Sequence, residues 1–223
     1  MRAADSFIPV YDIREVHADT GRQRQDDEIY VYTTEDLLAR EKMFRPARSA
    51  HFSIHLNLGD PIEIQYNLIN YTVPENALFI IHPGIVHVVK KADNLRAITI
   101  GFTREFLAAS MLHKKHAEAL GFLSQRSVPL FLLTEPEAQT LYPQLVHLKS
   151  ILTNGHPFKE DMTYHVFNLF MLETAALAKK YRGAVESGMS RQDDILVNFL
   201  KQLAAHFKEE RSVQYYAGTL YIT

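Results

Sequence analysis

The 223-residue chain contains no cysteine, which excludes disulfide bonds, thiol catalysis and cysteine-ligated zinc. It has only 9 glycines, and these form neither a phosphate-binding loop nor a dinucleotide-binding fingerprint. A Gly-x-Ser-x-Gly nucleophile elbow is missing as well. The chain therefore lacks the motifs of the commonest nucleotide-dependent and hydrolytic enzymes.

Long apolar runs and an excess of charge are also missing. No apolar stretch approaches the roughly 20 residues of a membrane-spanning helix, and the residues after Met1 do not form the apolar centre of a signal peptide. We therefore expect no membrane partner and a cytoplasmic location. The net charge of −2 argues against a strong grip on nucleic acid by these residues alone, because phosphate neutralisation needs clustered Lys and Arg.

The sequence does contain enough apolar residues for a core, with 47% hydrophobic residues in total. Residues 51–102 are a series of short apolar or alternating runs separated by turns, such as Gly59-Asp60-Pro61. The run 51–58 alternates strictly between apolar and polar residues. This spacing predicts an antiparallel β-barrel or sandwich.

From Thr103 onward the hydrophobic period changes from two to 3.6 residues, which predicts helices. Thr134-x-x-Glu137 is a capping box, and the helix after it is expected to stop at Asn154-Gly155. A longer helix is predicted from about Lys159 to Tyr181. The apolar residues of these two helices could form a dimer interface, or they could pack only on the strand region. They are Leu141, Leu145, Leu148, Leu152, Met162, Val166, Leu169 and Phe170.

The last residues read as a short helix followed by a turn. Ser212 is a good N-cap residue, Tyr216 and Leu220 can share one helix face with the small Ala217 between them, and Gly218 can end the helix. Thr223 is a further N-cap candidate, so another helix is expected to begin there. This order is typical of the first half of a helix-turn-helix.

The segment from Gln192 to Thr223 resembles the start of the DNA-binding domain of AraC-type (AraC/XylS) transcription regulators. It shares with them the helix 194–203 and the order of small, apolar and capping positions in 211–223. The strand region, with its Pro83-Gly84-x-x-His87 step, is similar to the cupin-like jelly roll of the sensor domains in that family.

This resemblance implies an α+β protein in which an N-terminal antiparallel cupin-like β-barrel precedes a helical dimerisation segment and a truncated helix-turn-helix. The expected parts are the effector-binding barrel at 1–107, the dimerisation helices at 108–182, a linker at 183–191 and the first DNA-binding helices at 192–223. The implied function is effector sensing and homodimerisation in a transcription regulator. It would involve no enzymatic activity and no cofactor, and promoter DNA would be a partner only of the full-length protein.

The polar face of strand 51–58 is the candidate site for a small-molecule effector, because a row of hydrogen-bonding side chains can line a cavity and orient a ligand. The alternative is that this face is simply exposed to solvent, as in many antiparallel sheets. The candidate ligand-binding residues are His51, His55, Asn57, Tyr66, His82 and His87. The last three are included because of the resemblance.

A metal site is not predicted. His51 and His55 share a face but lie about 13 Å apart along an extended strand, too far for one ion. His82 and His87 have no carboxylate at the spacing that cupin enzymes use. Two alternative functions remain, a metal-dependent cupin enzyme and a small-molecule-binding protein without a DNA role.

Overall fold

The computed structural model describes residues 8–20, 25–38, 40–110, 116, 119–123, 129–181, 195, 198, 199, 202, 203, 206 and 209–220. The chain forms two compact units, Met1–Tyr181 and Arg182–Thr223. The first unit contains both the strand region and the two long helices. The two units divide between Tyr181 and Arg182, before the expected linker at 183–191.

Ten strands of the first unit form two five-stranded sheets. The first sheet has the order β1-β3-β8-β5-β6 and the second β10-β7-β4-β9-β2. All neighbouring strands are antiparallel except β1 and β3. The strands are β1 Val10–Tyr11, β2 Ile29–Thr33, β3 Ala47–Ser49, β4 Phe52–Asn57, β5 Ile62–Tyr66, β6 Ile69–Val73, β7 Ala77–Ile81, β8 Val86–Lys91, β9 Ala97–Phe102 and β10 Leu130–Leu132.

The expected barrel takes the form of two facing sheets. Every ladder among the described strands lies within one sheet or the other, so closure into a single barrel is not seen. The antiparallel strand pattern was predicted correctly, but three short elements were missed: β1, β3 and the helix α1 (Ile13–Ala18). The strands β1 and β3 have two and three residues, too few for an alternation to show, and the six residues of α1 make fewer than two helical turns.

The second sheet packs helices on one of its faces. Along β4, Ile54 pairs with Ile80 and Ile100 of the neighbouring strands, and these fully buried side chains join a core that includes the two long helices. The β4 residues that precede and follow Ile54 point to the opposite face, since successive side chains of a strand alternate between its two faces. The chemistry of the site depends on that opposite face.

The long helices are α3 (Glu135–Thr153) and α4 (Lys159–Tyr181), preceded by the short α2 (Arg104–Ala109). The predicted capping box holds the start of α3, where the Thr134 amide donates to Glu137 Oε2 at 2.7 Å. Glu137 also accepts hydrogen bonds from Lys180 and Tyr181, both at 2.7 Å. The first turn of α3 is therefore tied to the last turn of α4.

A buried ion pair joins α3 to the end of β2. Lys149 Nζ lies 2.5 Å from Asp36 Oδ2 and 3.2 Å from Thr33 Oγ1. The side chain of Asp36 is fully buried and that of Lys149 is 16% exposed. Asp36 belongs to a 3-10 helix, Thr34–Asp36, and a second one spans Arg40–Phe44.

The apolar residues predicted for a dimer interface divide into two groups. Leu141, Leu145, Leu148 and Leu152 are buried inside the unit, as is Phe170, because this stripe of α3 packs against α4 and the second sheet. Met162 and Val166 are partly buried, and Leu169 is 50% exposed. Any contact with a second copy through these helices would therefore depend on residues such as Leu169 and not on the leucine stripe of α3.

The second unit contains the helix α5 (Val213–Thr219). Ser212 occupies the N-cap position, although its side chain makes no capping hydrogen bond. Tyr216 is buried, donates a hydrogen bond to the carbonyl of Glu210 and lies against Phe199. Gly218 does not end the helix, which continues to Thr219. Thr223 and the expected linker 183–191 lie outside the described residues.

Among the helices of the described part of the chain, none is both long enough and apolar enough to cross a bilayer.

Candidate functional site

A cavity of about 270 Å³ lies between the two sheets. Its walls come from both: Ile62 and Ile64 of β5 and His87 and Val89 of β8 on one side, and residues of β2, β4, β7 and β9 on the other. The cavity therefore occupies the interior space between the sheets that a sandwich core would otherwise fill.

The polar row of β4 faces this cavity. His51, Ser53, His55 and Asn57 all line it, and His51, Ser53 and Asn57 are at least 96% buried. The alternative of a solvent-exposed face is wrong for this strand, because the first sheet covers it. Whether these residues bind a ligand stays a prediction.

Asn57 has a structural role that limits its availability. Its side-chain amide nitrogen lies within hydrogen-bonding distance of the carbonyl oxygens of Asp60, Val73 and Pro74, at 3.0 to 3.1 Å. Its side-chain oxygen accepts from the Gly59 amide at 3.2 Å. The side chain therefore braces two turns, and little of its hydrogen-bonding capacity remains for a ligand.

The two histidines of the row are held by neighbouring side chains. Tyr30 Oη lies 3.0 Å from His51 Nε2, and His55 Nδ1 lies 2.8 Å from Thr99 Oγ1. Each histidine keeps one ring nitrogen without a partner, Nδ1 of His51 and Nε2 of His55, and both atoms are sealed from solvent.

Burial lowers the pKa of both imidazoles. The pKa of His51 falls to about 4, although the charge of Asp12 opposes the shift, and that of His55 falls to about 3. Burial also lowers the pKa of His87, the third histidine of the cavity. At neutral pH the cavity interior therefore presents uncharged rings.

Two stacked tyrosines of β2 form part of the wall. Tyr30 and Tyr32 have ring centroids 5.2 Å apart. A Cβ atom at Gly101 would lie only 2.1 Å from the Tyr30 ring, so glycine is needed on β9 for this ring to lie across the strand. Neither tyrosine was predicted as a site residue, although in the sequence they alternate with Ile29 and Val31, which is typical of residues on one strand face.

Tyr66 and His82 are not among the residues that line the cavity. They share a hydrogen bond of 2.5 Å between Tyr66 Oη and His82 Nδ1, and Tyr66 packs against Phe79, a residue of the cavity wall. The structure thus brings His51, His55, Asn57 and His87 to the cavity and places the other two predicted residues elsewhere.

Basic residues of the stretch 42–48 also line the cavity, and the sequence analysis did not single them out. They are Lys42, Arg45 and Arg48, all exposed to solvent. Ala47 and Ser49, on either side of Arg48, are buried and line the cavity, and Arg48 pairs with Val86, which does not line it. The Arg48 side chain therefore lies on the outer face of the first sheet. The stretch has no hydrophobic period, because it runs through a 3-10 helix into a three-residue strand.

Within the described residues, no group of three His, Cys, Asp or Glu side chains could hold one metal ion. Among the described residues that line the cavity, Asp19 is the single acidic one, and it forms an ion pair with Lys42. The donor set that a metal-dependent cupin enzyme needs is therefore not assembled in this cavity.

Sequence comparisons yield no assignment. No family model matches the chain, and no curated protein matches it either.

Several solved structures resemble the fold at a distance. ToxT from Vibrio cholerae aligns over 88% of this chain and 71% of its own, with 8% identity and a TM-score of 0.40. ToxT from strain SCE256 with a bound unsaturated fatty acid aligns over 91% and 72%, with 10% identity and a TM-score of 0.41. The AraC-like transcriptional activator CuxR aligns over 88% and 64%, with 11% identity and a TM-score of 0.40. Similarity at this level does not decide the function.

Proposed function

We propose that the first unit is a small-molecule-sensing domain of a transcription regulator, and that the second unit contains the first helices of its DNA-binding domain. The cavity between the sheets is the observation that carries the sensing half. The DNA-binding half rests on the resemblance of residues 192–223 to AraC-type regulators. The metal-dependent enzyme has no matching donor set in the described residues, and we do not propose it.

The cavity is suited to sensing because it adjoins the sheet that supports the helices. Thr33 and Thr34 line the cavity, and Thr33 contacts Lys149 of α3. A ligand that orders this wall would stabilise the folded state by mass action. Coupling to DNA binding would require the ligand to prefer one arrangement of the whole regulator.

A ligand screen by thermal shift tests the sensing half. We expect at least one compound from a library of small organic acids, amines, alcohols and sugars to raise the melting temperature. In the variant Val89→Phe, the added ring would fill cavity space, so that rise should be lost. Val86→Phe is the matched control, because Val86 lies on the same strand but does not line the cavity.

Equal shifts in both variants would place the binding site outside the cavity and contradict the sensing proposal. The proposal would also be contradicted if no compound in the library raised the melting temperature of the ligand-free protein.

Gel-shift assays with the DNA upstream of its own gene test the regulatory half, with protein produced from the complete gene. We expect specific binding that survives moderate salt, since non-specific phosphate contacts weaken steeply with ionic strength. If binding is no tighter than to unrelated DNA, the protein is a small-molecule-binding protein without a DNA role.

Homodimerisation is part of the same proposal. Leu169 and Leu172 of α4 are 50% and 37% exposed, and they are three residues apart on one helix face. In sedimentation experiments we expect Leu169→Glu combined with Leu172→Glu to convert a dimer to a monomer, whereas His147→Glu on α3 should leave it dimeric. A wild-type monomer would contradict this part alone.

A further inference from the structure

The part of the cavity wall between residues 51 and 99 carries no charge. Its lining residues include no Asp, Glu, Lys or Arg. Burial lowers the pKa of His51, His55 and His87, which keeps their rings neutral at pH 7. An ionised ligand group placed against this wall would lose its water without gaining an opposite charge, which is costly. The interior therefore favours an uncharged ligand.

The two sides of the cavity differ in polarity. Ile62, Ile64 and Val89 of the first sheet line one side, and such aliphatic surfaces gain free energy by contact with an apolar ligand body. The polar row of β4 lines the other side. A molecule with hydroxyl groups all round, such as a sugar, would leave some of them unpaired against the aliphatic side chains. A suitable ligand is therefore apolar over most of its surface and polar at one point.

His55 is the member of the polar row that presents its side chain to the cavity. The other three members are at least 96% buried, whereas His55 is only partly buried. Because the first sheet covers this side of β4, the surface that His55 exposes faces the cavity and not the outside of the molecule. A ligand in the cavity therefore contacts the imidazole ring of His55.

One ring nitrogen of His55 lacks a hydrogen-bond partner. Nδ1 lies 2.8 Å from Thr99 Oγ1, but Nε2 has no partner and is not reached by solvent. For a ligand in the cavity to bond Nε2, the ring must turn slightly toward it. A buried polar group without a partner costs free energy, and a ligand that supplies the partner recovers part of that cost.

A hydroxyl group matches this nitrogen in either tautomer of His55. In a neutral imidazole one ring nitrogen donates and the other accepts, and the Thr99 hydroxyl can serve as the partner of either. A ligand hydroxyl can both donate and accept in the same way. A carboxylate only accepts and an ammonium group only donates, and both are charged.

The cavity volume limits the size of the ligand. About 270 Å³ corresponds to the volume of about nine water molecules in the liquid, at roughly 30 Å³ each. A small organic molecule of on the order of ten non-hydrogen atoms fits this space.

We propose that the effector is a compact, uncharged alcohol or phenol, with its apolar body against Ile62, Ile64 and Val89 and its hydroxyl group bonded to His55 Nε2. This inference rests on the proposed sensing function and specifies its ligand class. The neutral wall disfavours organic ions of either sign, and the aliphatic side disfavours sugars.

Calorimetric titration of the wild-type protein with probes that share a phenylethyl body tests the ligand class. The probes are 2-phenylethanol, propylbenzene, 2-phenylethylamine and 3-phenylpropionate, which end in a hydroxyl, a methyl, an ammonium and a carboxylate group. Glucose is the polyhydroxyl compound. We expect the alcohol to bind, and both ions and glucose to bind at least about tenfold more weakly.

The hydrogen bond to His55 is tested with His55→Phe, which keeps an aromatic ring at this position but has no ring nitrogen. The measured quantity is the ratio of the affinities for 2-phenylethanol and propylbenzene, because a change in cavity shape affects both probes. We expect this ratio to fall by about tenfold in His55→Phe. It should stay unchanged in His147→Phe, since His147 is exposed on α3 and does not line the cavity. His55→Leu is measured alongside, and thermal melting without ligand shows which variants are folded.

Binding of either ion or of glucose that is as tight as binding of the alcohol would overturn the inference. An affinity ratio that does not change in the folded His55 variants, or that falls equally in His147→Phe, would overturn it too. In each of these cases ligand binding that Val89→Phe abolishes would leave the sensing function intact. The same holds if 2-phenylethanol does not bind while another compound binds in the cavity. No binding of any probe, together with no hit in the wider screen, would overturn both proposals.

Discussion

Replacing Lys149 with methionine would leave the carboxylate of Asp36 buried without its cation. Methionine keeps most of the aliphatic stem, so packing changes little, but it removes the ammonium group that lies 2.5 Å from Asp36 Oδ2. The amide and hydroxyl of Thr33 also donate to this oxygen, both at 2.8 Å. Hydrogen bonds from neutral donors such as these replace only part of the lost charge interaction.

The expected loss is about 3–5 kcal/mol of unfolding free energy at pH 7, the range found when one partner of a buried ion pair is removed. An exposed pair would cost at most about 1 kcal/mol. The side chain of Asp36 is fully inaccessible to solvent, so the larger loss expected for a buried pair applies here. Because natural domains have about 5–15 kcal/mol in total, the variant would lose a large share of its stability.

The pH dependence of this loss provides a second test. Burial by itself would raise the pKa of Asp36, but the hydrogen bonds from Lys149 and Thr33 outweigh it and the pKa is lowered. In the wild type, this contribution is therefore present above the unfolded pKa of about 3.9 and declines as the pH falls below it. Without Lys149, burial dominates and the carboxyl group takes up a proton more readily, so the stability difference should shrink as the pH falls.

Urea unfolding followed by circular dichroism, at pH 7 and pH 5, measures both effects. The double variant Lys149→Met with Asp36→Asn is the matched control, because it removes both charges, and it should recover most of the loss. A loss below about 1 kcal/mol at pH 7, or a loss that does not change with pH, would show that water screens the pair and that our assignment of a buried ion pair is wrong.

Three other changes have defined outcomes. Gly101→Ala should lower the unfolding free energy by about 1–3 kcal/mol, because the new Cβ overlaps the Tyr30 ring. Measured against the single variant Tyr30→Ala, the same glycine substitution should cost much less. Acidification from pH 6 to pH 5 should destabilise the protein by on the order of 1.4 kcal/mol per pH unit for each buried neutral histidine. His55→Gln should reduce this slope, because the pKa of His55 is about 3 in the folded protein, below its value in the unfolded chain. Glu137→Gln should cost less than about 1 kcal/mol at pH 7. Burial would raise the pKa of Glu137, but bonds from Lys180, Tyr181 and Thr134 lower it to about 2, so the difference should vanish as the pH falls through that value.

Each of these outcomes is measured by urea unfolding. His147→Gln, an exposed histidine of α3, is the control for the acid slope and should leave it unchanged. For Glu137, retention of the capping box by glutamine separates the loss of charge from the loss of the helix cap. A stability difference that persists at pH 2 would contradict the role of the carboxylate charge.

The helical part of the fold could be predicted with accuracy because its pattern is long. The bounds of α4 match the predicted 159–181, since six helical turns of apolar residues leave little ambiguity. The partners of those residues could not be predicted. A stripe such as Leu141 to Leu152 has the same period whether it packs on the same chain or on a second copy.

The candidate site was predictable only in part. Alternation placed His51, His55 and Asn57 on one face of β4, but polar residues alternate in the same way on a solvent-exposed sheet and on a cavity wall. The sequence also gave no sign that turns already use the side chain of Asn57. Ala47 and Ser49 were not predicted as lining residues, because their place on the cavity wall depends on the long-range pairing of β3 with β1 and β8.

The alternation along β4 gives the two faces of this strand different roles. Positions 51, 53 and 55 face the cavity, and positions 52, 54 and 56 belong to the core shared with the helices. A substitution at an odd position can change what the cavity accepts while the helix-facing packing stays as it is. Descendants of this chain could therefore acquire new ligands by point mutation without first losing the fold, whereas deletion of one residue would exchange the two faces and disrupt both.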